Sequence, residues 1–498
     1  MKKTRLLILC LLAAELTSAV SCGESAAASE IQNNDSAAPV VTEPAETEEN
    51  ILRADLPDTD WGGREFRVLG REDLTHSQFS NFEIYSEKED GEIVNDAIFR
   101  RNSAIQEKYN VKITQSLFSL PNEELIKNSM AGDDLFDLAF IDLETIGTCA
   151  QQGCFYDLNR IEFIDFSQPW WNPEVNDTVS IGGRVFYTSS DFSLRDKSRA
   201  YILTYNPQIV SDYDMPDLLG LVRDGTWTIE RMTECVRMVS GDIDGDGKMT
   251  EKDAYGLPMD SYNAFAAFIY GCDNHILVHD ADGMLAIDMN SEHMVNSVDK
   301  VITLTCDTNY AFFCNDFDGK VSGDIWRVSG DAFEGGRGLF NTAFPHSLKD
   351  FAGKCDFEYT VIPFPKYDES QEKYTTMADV YCMLFGIPSS SAAPEFSGFM
   401  LEALSAASTD TTLKAYYDIS CQTKYAANPA SAEMLDLIFD GICFDNGVIF
   451  RYTLGLYGIL SDSLPKVKKN NFSSLYARIE RSSLKTIDKL NQTMLELD

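Results

Sequence analysis

Strand-like and helix-like patterns alternate after residue 60, and this order limits the possible folds more than any other feature of the sequence. Residues 65–69 and 111–118 have the apolar pattern of β-strands, and residues 135–141 form a mostly apolar third strand. Between the first two strands, residues 93–105 carry apolar side chains at helical spacing, and Pro121 opens a second helix before the third strand. Strands that alternate with helices predict an α/β domain with a largely parallel sheet.

An acidic segment in the middle of the chain, residues 242–253, has the spacing of a calcium-binding loop of the EF-hand type. Its aspartates occupy loop positions one, three, five and twelve, and Gly247 lies at position six, where such a loop turns sharply. Position twelve holds Asp253, which is one methylene shorter than the usual glutamate. The predicted ligands of a single structural calcium ion are Asp242, Asp244, Asp246, the Lys248 carbonyl, Thr250 and Asp253. The alternative is a solvated acidic turn.

The N-terminus has the pattern of a bacterial export signal. Three basic residues within the first five precede an apolar run over residues 6–14, which is too short to span a bilayer comfortably. The run leads to Ala-Val-Ser-Cys at residues 19–22, an ending that resembles a bacterial lipobox, in which the cysteine is lipidated. We therefore expect residues 1–22 to be a lipoprotein signal peptide with Cys22 as the anchor. The alternative is ordinary secretion.

Residues 23–57 are rich in Ala, Ser, Glu, Thr and Pro and have almost no large apolar side chains. A segment of this composition cannot bury a core, so we expect it to be a disordered tether. As a flexible chain it has an r.m.s. reach of roughly 30–35 Å. A tether of that reach would hold a folded body clear of a membrane.

The excess of acidic residues in the chain argues against nucleic acid as a partner. The 498 residues, enough for two or three domains, include 79 acidic and 41 basic side chains, which gives a formal net charge of −38. A surface of this sign repels nucleic acid and anionic membranes, and we therefore predict no nucleic-acid partner. It also disfavours a strongly anionic substrate unless the pocket is locally basic.

The chain has 12 cysteines, of which ten follow Cys22. These ten show neither a CxxC pair nor a regular spacing, and most have apolar neighbours, as Cys382 and Cys443 do. This pattern predicts buried free thiols rather than a disulfide framework.

The order of several segments resembles that of the extracellular solute-binding lipoproteins of bacterial ABC importers, in the family 1 group that is like maltose-binding protein. The resemblance covers nearly the whole chain after the signal segment. It rests on the lipobox, the tether, and the acidic loop with residues 253–256 after it, together with short motifs in the family's order. Those motifs are Asp-Leu-Ala-Phe-Ile-Asp at residues 137–142, Tyr-Ile-Leu-Thr-Tyr-Asn at 201–206, Gly-Thr-Trp-Thr-Ile-Glu at 225–230, and the segments 357–365 and 386–388.

The resemblance implies a type II periplasmic-binding-protein-like fold, in which two α/β lobes are joined by a hinge of crossing segments and close on a ligand between them. The implied lobes are residues 58–204 plus 360–404 for lobe 1, and residues 205–359 plus 405–498, with the calcium loop, for lobe 2. The chain would cross between the lobes near residues 203–206 and 359–363, and again after Ala403. Hinges of this kind absorb the backbone change of closure at the ends of elements.

The resemblance also implies binding without catalysis. The protein would capture a carbohydrate, either a sugar or an oligosaccharide, by lobe closure and deliver it to the permease subunits of an ABC transporter. It would be a monomer, held at the outer face of the cell membrane by the lipid on Cys22.

A sugar presents hydroxyl edges to carboxylates and amides, and flat apolar faces to aromatic rings, so its site needs both kinds of side chain. Asp142 follows a strand at the end where open α/β sheets bind ligands; the alternative is a cap for the next helix. Trp170 and Trp171 lie in a proline-flanked loop and could stack on a sugar; the alternative is that they fill a core. Trp227 and Trp326 have apolar neighbours in helical segments and are expected in the core. The predicted ligand contacts are Asp142, Trp170, Trp171, Asp191, Tyr205, Phe344, Asp379 and Tyr381.

Two other functions stay open. A secreted, calcium-bearing glycoside hydrolase would need two carboxylates that face each other across a cleft, which a chain with 79 acidic residues can supply. A surface ligand-binding lipoprotein without a transport role could use the same scaffold. A zinc enzyme is disfavoured because His275 and His279 lack a third ligand nearby. The sequence contains no GxSxG, HExxH or glycine-rich phosphate motif.

Overall fold

The structure, a computed structural model, describes residues 54–351, 353–417 and 428–497. The predicted signal peptide with Cys22, and the predicted tether up to residue 53, lie outside these residues. Ala54 and Leu56, which the sequence assigned to the tether, pack against the hydrophobic core. The folded body therefore begins before the predicted boundary at residue 57.

Strands and helices alternate in the first part of the described chain, as the sequence predicted. The strands are β1 (Arg64–Arg71), β2 (Val111–Phe118), β3 (Leu138–Asp142), β4 (Ile202–Tyr205), β5 (Ser240–Gly241), β6 (Ala254–Tyr255), β7 (Leu257–Met259), β8 (Leu277–His279), β9 (Leu285–Ile287), β10 (Ala311–Phe313), β11 (Phe340–Ala343), β12 (Thr360–Ile362), β13 (Thr376–Met377), β14 (Met383–Gly386) and β15 (Ile442–Cys443). Most of them are short, and the longer ones belong to the N-terminal part.

The helices connect and cover these strands. They are α1 (Ile93–Tyr109), α2 (Pro121–Ala131), α3 (Leu143–Gln151), α4 (Pro173–Val179), α5 (Arg195–Ser198), α6 (Pro207–Asp212), α7 (Leu218–Arg223), α8 (Ile229–Val236), α9 (Asn263–Gly271), α10 (Glu292–Thr305), α11 (Val328–Glu334), α12 (Leu348–Phe351), α13 (Pro394–Ser408), α14 (Pro429–Asp440), α15 (Asn446–Ile449), α16 (Arg451–Leu454), α17 (Leu464–Val467) and α18 (Phe472–Glu496). Single turns of 3₁₀-helix lie at Ser77–Phe79, Leu158–Arg160, Cys314–Phe317, Ile325–Arg327 and Pro345–Ser347.

The largest sheet has the strand order β14-β3-β1-β2. Strand β1 pairs in parallel with β2 and β3, whereas β14 runs antiparallel to β3 at the edge. Phe66 lies opposite Ile113 and Val68 opposite Leu138, and all four side chains are buried. The sheet is therefore largely parallel, with one antiparallel edge strand, a common arrangement in α/β folds.

Strand β4 is the centre of a second, three-stranded sheet and pairs antiparallel with β11 and β12. The ring of Trp227 lies 5.7 Å from that of Phe340 in β11, and its Nε1–H donates to the carbonyl of Pro363 at 3.0 Å. Trp227 is fully buried, which confirms its predicted place in the core. The remaining strands form four two-stranded sheets, β7 with β10, β13 with β15, β5 with β6 and β8 with β9.

Helix starts follow the local signals in the sequence. Helices α2 and α13 begin at Pro121 and Pro394, where a missing backbone N–H costs nothing. The side chains of Thr228 and Asn172 cap α8 and α4 by accepting a backbone N–H of the first turn. These caps set where each helix begins and so place the loops before it.

Nine cysteines fall within the described ranges, and all nine are free thiols. Six are buried, and Cys306, Cys355 and Cys443 are half-buried. The prediction of free thiols is confirmed for these residues, while Cys421 lies outside the described ranges. No helix in the described part of the chain is both long enough and apolar enough to cross a membrane.

His346 joins the turn after β11 to the end of α5. Its Nδ1 lies 2.9 Å from the carbonyl oxygen of Ser198, and its Nε2 lies 3.4 Å from Nη1 of Arg199. A neutral ring satisfies both contacts, because Nδ1–H then donates and Nε2 accepts. Burial, and then the charge of Arg199, lower the pKa of His346 well below its ordinary value.

The lowered pKa predicts a pH-dependent stability. Below about pH 6.5 the unfolded chain protonates His346 while the folded protein does not, so stability falls as the pH falls, by up to about 1.4 kcal/mol per pH unit for one proton. His346→Gln, which stays neutral, should remove this component. We expect the unfolding free energy of the wild type minus that of the variant to be constant above pH 7. At pH 5 this difference should be lower, because only the wild type loses stability through His346. Denaturant unfolding at several pH values measures it, and a difference independent of pH would contradict the assignment.

Candidate functional site

A cavity of about 620 Å³, here called the strand-end cavity, opens where the ends of several strands meet. Its lining residues are Arg71, Asp73, His76, Gln78, Phe79, Arg199, Tyr201, Asp260, Ser261, Asn263, Asp324, Trp326, Arg327, Ser329, Gly330, Asn341, Thr342, Ala343, Phe344, His346, Ser347, Asp350, Phe351, Asp379 and Tyr381. Arg71 ends β1, Asp260 follows β7 and Phe344 follows β11. The carboxyl ends of strands are where open α/β sheets bind ligands.

Three of the eight predicted ligand contacts, Phe344, Asp379 and Tyr381, line the strand-end cavity. They come from segments far apart in the chain. Phe344 follows β11, while Asp379 and Tyr381 precede β14, whose antiparallel direction brings its first residues to the carboxyl end of β3. The structure thus brings these three side chains together, and their contact with a ligand stays a prediction.

Arg199 lines the cavity and was not predicted. Its guanidinium forms a buried ion pair with Asp379, and both side chains are almost fully buried. The rings of Phe79 and Phe344 lie 4.8 and 4.5 Å from the guanidinium carbon, within cation–π range. The charge of Arg199 is therefore neutralised and its position is held from several sides.

Asp142 lies next to the cavity rather than on its wall. Its Oδ2 accepts a hydrogen bond from Nη1 of Arg71 at 2.8 Å, and Arg71 lines the cavity. Burial raises the pKa of Asp142 to about 6, against the opposing effect of Arg71. The Asp142 side chain makes no cap hydrogen bond to α3, although it occupies the cap position. Its observed role is to hold Arg71, whose guanidinium carbon also lies 5.3 Å from the Tyr381 ring centre.

Asp260 forms a polar cluster on the wall of the cavity formed by β7 and β11. Its Oδ1 accepts from the Thr342 hydroxyl at 2.7 Å, and its Oδ2 accepts from the Ser261 hydroxyl at 2.9 Å. Desolvation raises the pKa of Asp260 to about 6, partly offset by these hydrogen bonds. Tyr201 places its hydroxyl 3.4 Å from the same carboxylate. A half-buried carboxylate beside hydroxyl groups suits the hydroxyl edge of a polar ligand.

Trp326 corrects a prediction. The sequence placed it in the core, but its side chain is 49% exposed and lines the strand-end cavity. It lies in a single 3₁₀ turn, whose backbone is capped when Asp324 accepts the N–H of Trp326 at 3.0 Å. A single turn has no continuous face that packs against the core, so the indole of Trp326 stays exposed at the cavity wall.

Four predicted contacts lie elsewhere. Trp170 and Trp171 are buried, and their Nε1–H groups donate to opposite oxygens of Glu402 at 3.1 and 3.0 Å. The structure thus follows the alternative in which both tryptophans fill the core. Asp191 accepts from the Thr409 hydroxyl at 2.6 Å. Tyr205 is buried in β4, with its ring 6.4 Å from that of Phe340. None of the four is among the residues that line the strand-end cavity.

The acidic loop brings three of its predicted calcium ligands together. One carboxylate oxygen each from Asp242, Asp244 and Asp246 lies within 4.8 Å of the other two, and all three residues are exposed. Asp242 accepts the N–H groups of Gly245 and Gly247, both at 2.7 Å, which curls the loop around the cluster. Three hard oxygen donors that converge in this way fit a calcium ion.

Asp253, at the last position of the loop, has a different environment. It is fully buried, and its oxygens accept the N–H groups of Ile243 and Thr250 at 2.8 and 2.7 Å and the Thr250 hydroxyl at 3.0 Å. Burial raises the pKa of Asp253, but these hydrogen bonds outweigh it and the net shift is downward. In this structure Asp253 closes the loop, and the convergent donors are the three exposed aspartates.

Comparison with protein-family models gives no match, and comparison with curated proteins gives none either. Solved structures do match. The chain is similar to a cyclo/maltodextrin-binding protein complexed with maltotetraose, at 13% sequence identity and a TM-score of 0.54, covering 87% of this chain and 98% of that one. It matches the sugar-binding protein MalE from Xanthomonas citri at 12% identity, with a TM-score of 0.54 and the same coverage.

A third match is the ABC substrate-binding protein Lmo0181 from Listeria monocytogenes in complex with cycloalternan. It is 14% identical, with a TM-score of 0.51, and the match covers 87% of this chain and 99% of that one.

The predicted limits of the two lobes, residues 58–204 plus 360–404 and residues 205–359 plus 405–498, stay a prediction. The α/β architecture and the matched structures together show that the chain has the two-lobed periplasmic-binding-protein fold, as the sequence predicted.

Proposed function

We propose that this protein is a substrate-binding protein that captures a carbohydrate in the strand-end cavity by lobe closure and delivers it to an ABC transporter permease. The observation that carries the proposal is an exposed indole, Trp326, in one cavity with hydrogen-bonding carboxylates and hydroxyls such as Asp260 and Thr342. Rings stack on the faces of a sugar, and polar groups bind its edges. The matched structures, which include complexes with maltotetraose and cycloalternan, support the same ligand class.

The proposed mechanism needs no covalent step. The buried Arg199–Asp379 pair and the Arg71–Asp142 pair form a pre-formed wall on one side of the cavity. Trp326 and the Asp260 cluster line the same cavity from other segments of the chain. Closure would bring these groups onto the ligand and remove water from the polar contacts, which strengthens them. A protein of this kind releases its ligand unchanged to the permease.

Truncation of the exposed indole tests the proposal. In isothermal titration against a panel of neutral and charged oligosaccharides, the wild type should bind at least one member without turnover. Trp326→Ala should weaken that binding at least tenfold, or about 1.4 kcal/mol, because it removes the stacking surface. Tyr213→Ala, which truncates an aromatic ring of similar exposure outside the cavity, is the matched control.

Three outcomes would count against this function. Hydrolysis of any glycan in the panel would favour the glycoside hydrolase. Failure of the whole panel to bind would remove the carbohydrate assignment. Equal affinities of Trp326→Ala and Tyr213→Ala for the ligand would show that it binds outside the strand-end cavity.

We also propose that the acidic loop holds one structural calcium ion. Asp242, Asp244 and Asp246 would be its side-chain ligands, with the Lys248 carbonyl and Thr250 as further predicted donors, while Asp253 completes the loop. The ion would neutralise carboxylates that otherwise repel one another in a chain of net charge −38. The loop runs directly into β6, so its order bears on the elements that follow.

Calcium should raise the melting temperature of the wild type by several degrees, and EDTA should reverse the rise, because an ion that binds only the folded protein stabilises it. Asp244→Asn keeps the acceptor that bonds the Asp246 N–H but removes a charge, and it should lose most of the effect. Asp282→Asn, in another exposed acidic turn, should keep it. Thermal unfolding with and without calcium measures the effect, and an unchanged wild-type melting temperature would leave only an acidic turn.

We further propose that the mature protein is tethered outside the cell by a lipid on Cys22, after removal of the residues that precede it. Cys22→Ala should release the protein into the soluble fraction, whereas Cys10→Ala, within the apolar run, should leave it with the membrane. Immunoblots of the fractionated expressing cells measure the distribution. A wild-type protein found only in the soluble fraction would favour ordinary secretion.

A further inference from the structure

We propose that the ligand of the strand-end cavity carries a protonated amine, as an amino sugar or an amine-bearing oligosaccharide does. The inference rests on the proposed function and names the ligand class within it. It depends on the balance of charges around the cavity and on a buried acceptor that lacks a partner.

The basic side chains of the cavity are all engaged by acids of the protein. Arg199 pairs with Asp379, and Arg71 lies 2.8 Å from Asp142 and 3.5 Å from Asp73. Arg327 pairs with Asp331 and Glu334 at 3.0 and 2.8 Å. Each arginine that lines the cavity therefore has its charge compensated by an acid of the protein, although Nε of Arg71 and Nε of Arg199 are also buried without a hydrogen-bond partner.

Three carboxylates of the same cavity have no such partner. Asp260, Asp324 and Asp350 line it, and among the described residues no Lys or Arg nitrogen lies within the 4.0 Å of an ion pair from any of them. Asp324 lies two residues before the exposed Trp326, and Asp350 follows on α12. The uncompensated charge of the cavity is negative, and the exposed ring of Trp326 lines the same cavity.

An independent feature points to a ligand that donates hydrogen bonds. Asn341 in β11 is 2% exposed and lines the cavity, and its side-chain Oδ1 is buried without a hydrogen-bond partner. A buried acceptor without a donor is costly, so such an atom at a cavity wall is satisfied by what enters the cavity. An ammonium group offers three donors and no acceptor.

The combination distinguishes among sugars. A neutral sugar satisfies Asn341 and stacks on Trp326 but leaves the three carboxylates without a counter-charge. A uronic acid meets those carboxylates with a charge of the same sign. An amino sugar meets all three features at once, because its ring stacks on Trp326, its ammonium pairs with a carboxylate, and its N–H and O–H groups donate to Asn341. The aromatic face also attracts the cation. The net charge of the whole chain adds attraction for a cation at long range.

The experiment compares matched trisaccharides by isothermal titration on the intact protein. The probes are a trimer of glucosamine, a trimer of N-acetylglucosamine and a trimer of glucose, which differ in charge at similar size. We expect the glucosamine trimer to bind at least tenfold more tightly than either neutral trimer. The double variant Asp324→Asn with Asp350→Asn should lower this preference about tenfold, while Asp356→Asn, an exposed acid outside the cavity, should not change it.

Three results would overturn the inference, and they can be told apart from one another. If a neutral trimer binds as tightly as the glucosamine trimer, the amine preference fails while the carbohydrate-binding function stands. If none of the three trimers binds and the wider glycan panel also fails, the proposed function fails and the inference falls with it. A preference that survives the double variant unchanged would place its origin outside these carboxylates and also counts against the inference.

Discussion

The buried ion pair between Arg199 and Asp379 ties together the two main sheets of the protein. Arg199 precedes β4 and Asp379 precedes β14, and the backbone N–H of Asp379 also donates to the carbonyl of Arg199 at 3.0 Å. Taking two charges out of water is expensive, and losing one partner of such a pair leaves a buried charge that costs about 3–5 kcal/mol. The pair persists because Phe79, Phe344 and His346 pack around the guanidinium and accept or attract its charge. These contacts hold the cavity wall together where the sheets meet.

This arrangement explains why some site residues could be predicted from the sequence. The rule that ligands bind beyond strand ends selected Asp142, which holds the cavity residue Arg71. Asp379 and Tyr381, which precede the returning strand, line the cavity. The same rule, applied to every predicted strand, would have found Arg71 at the end of β1. Asp260 follows β7, a strand too short to show a periodic pattern. The fold class could be predicted from the N-terminal part, because its strands are long and apolar enough to be recognised in a sequence.

The residues that the sequence misplaced depend on partners far away in the chain. Trp170 and Trp171 stand in a loop that looks suited to stacking, but Glu402, more than 200 residues later, accepts both of their indole N–H groups and draws them inside. Trp326 shows the reverse error, because its apolar neighbours suggested burial while a single short turn leaves it exposed. Local composition reports which side chains can be buried. It does not report which polar partner will reach them.

The acidic loop and the cavity are connected through the backbone. After the loop, the carbonyls of Tyr255 and Gly256 accept the N–H groups of Leu339 and Phe340, at 3.1 and 2.9 Å, at the start of β11. That strand carries Asn341, which lines the cavity and whose buried side-chain Oδ1 has no hydrogen-bond partner. Charge repulsion within the loop would therefore act on a strand that forms part of the cavity wall, and an ion that neutralises the loop would relieve it. In the cavity, Asp260, Asp324 and Asp350 have no ion-pair partner among the described residues, and a positive charge on the ligand would offset their repulsion.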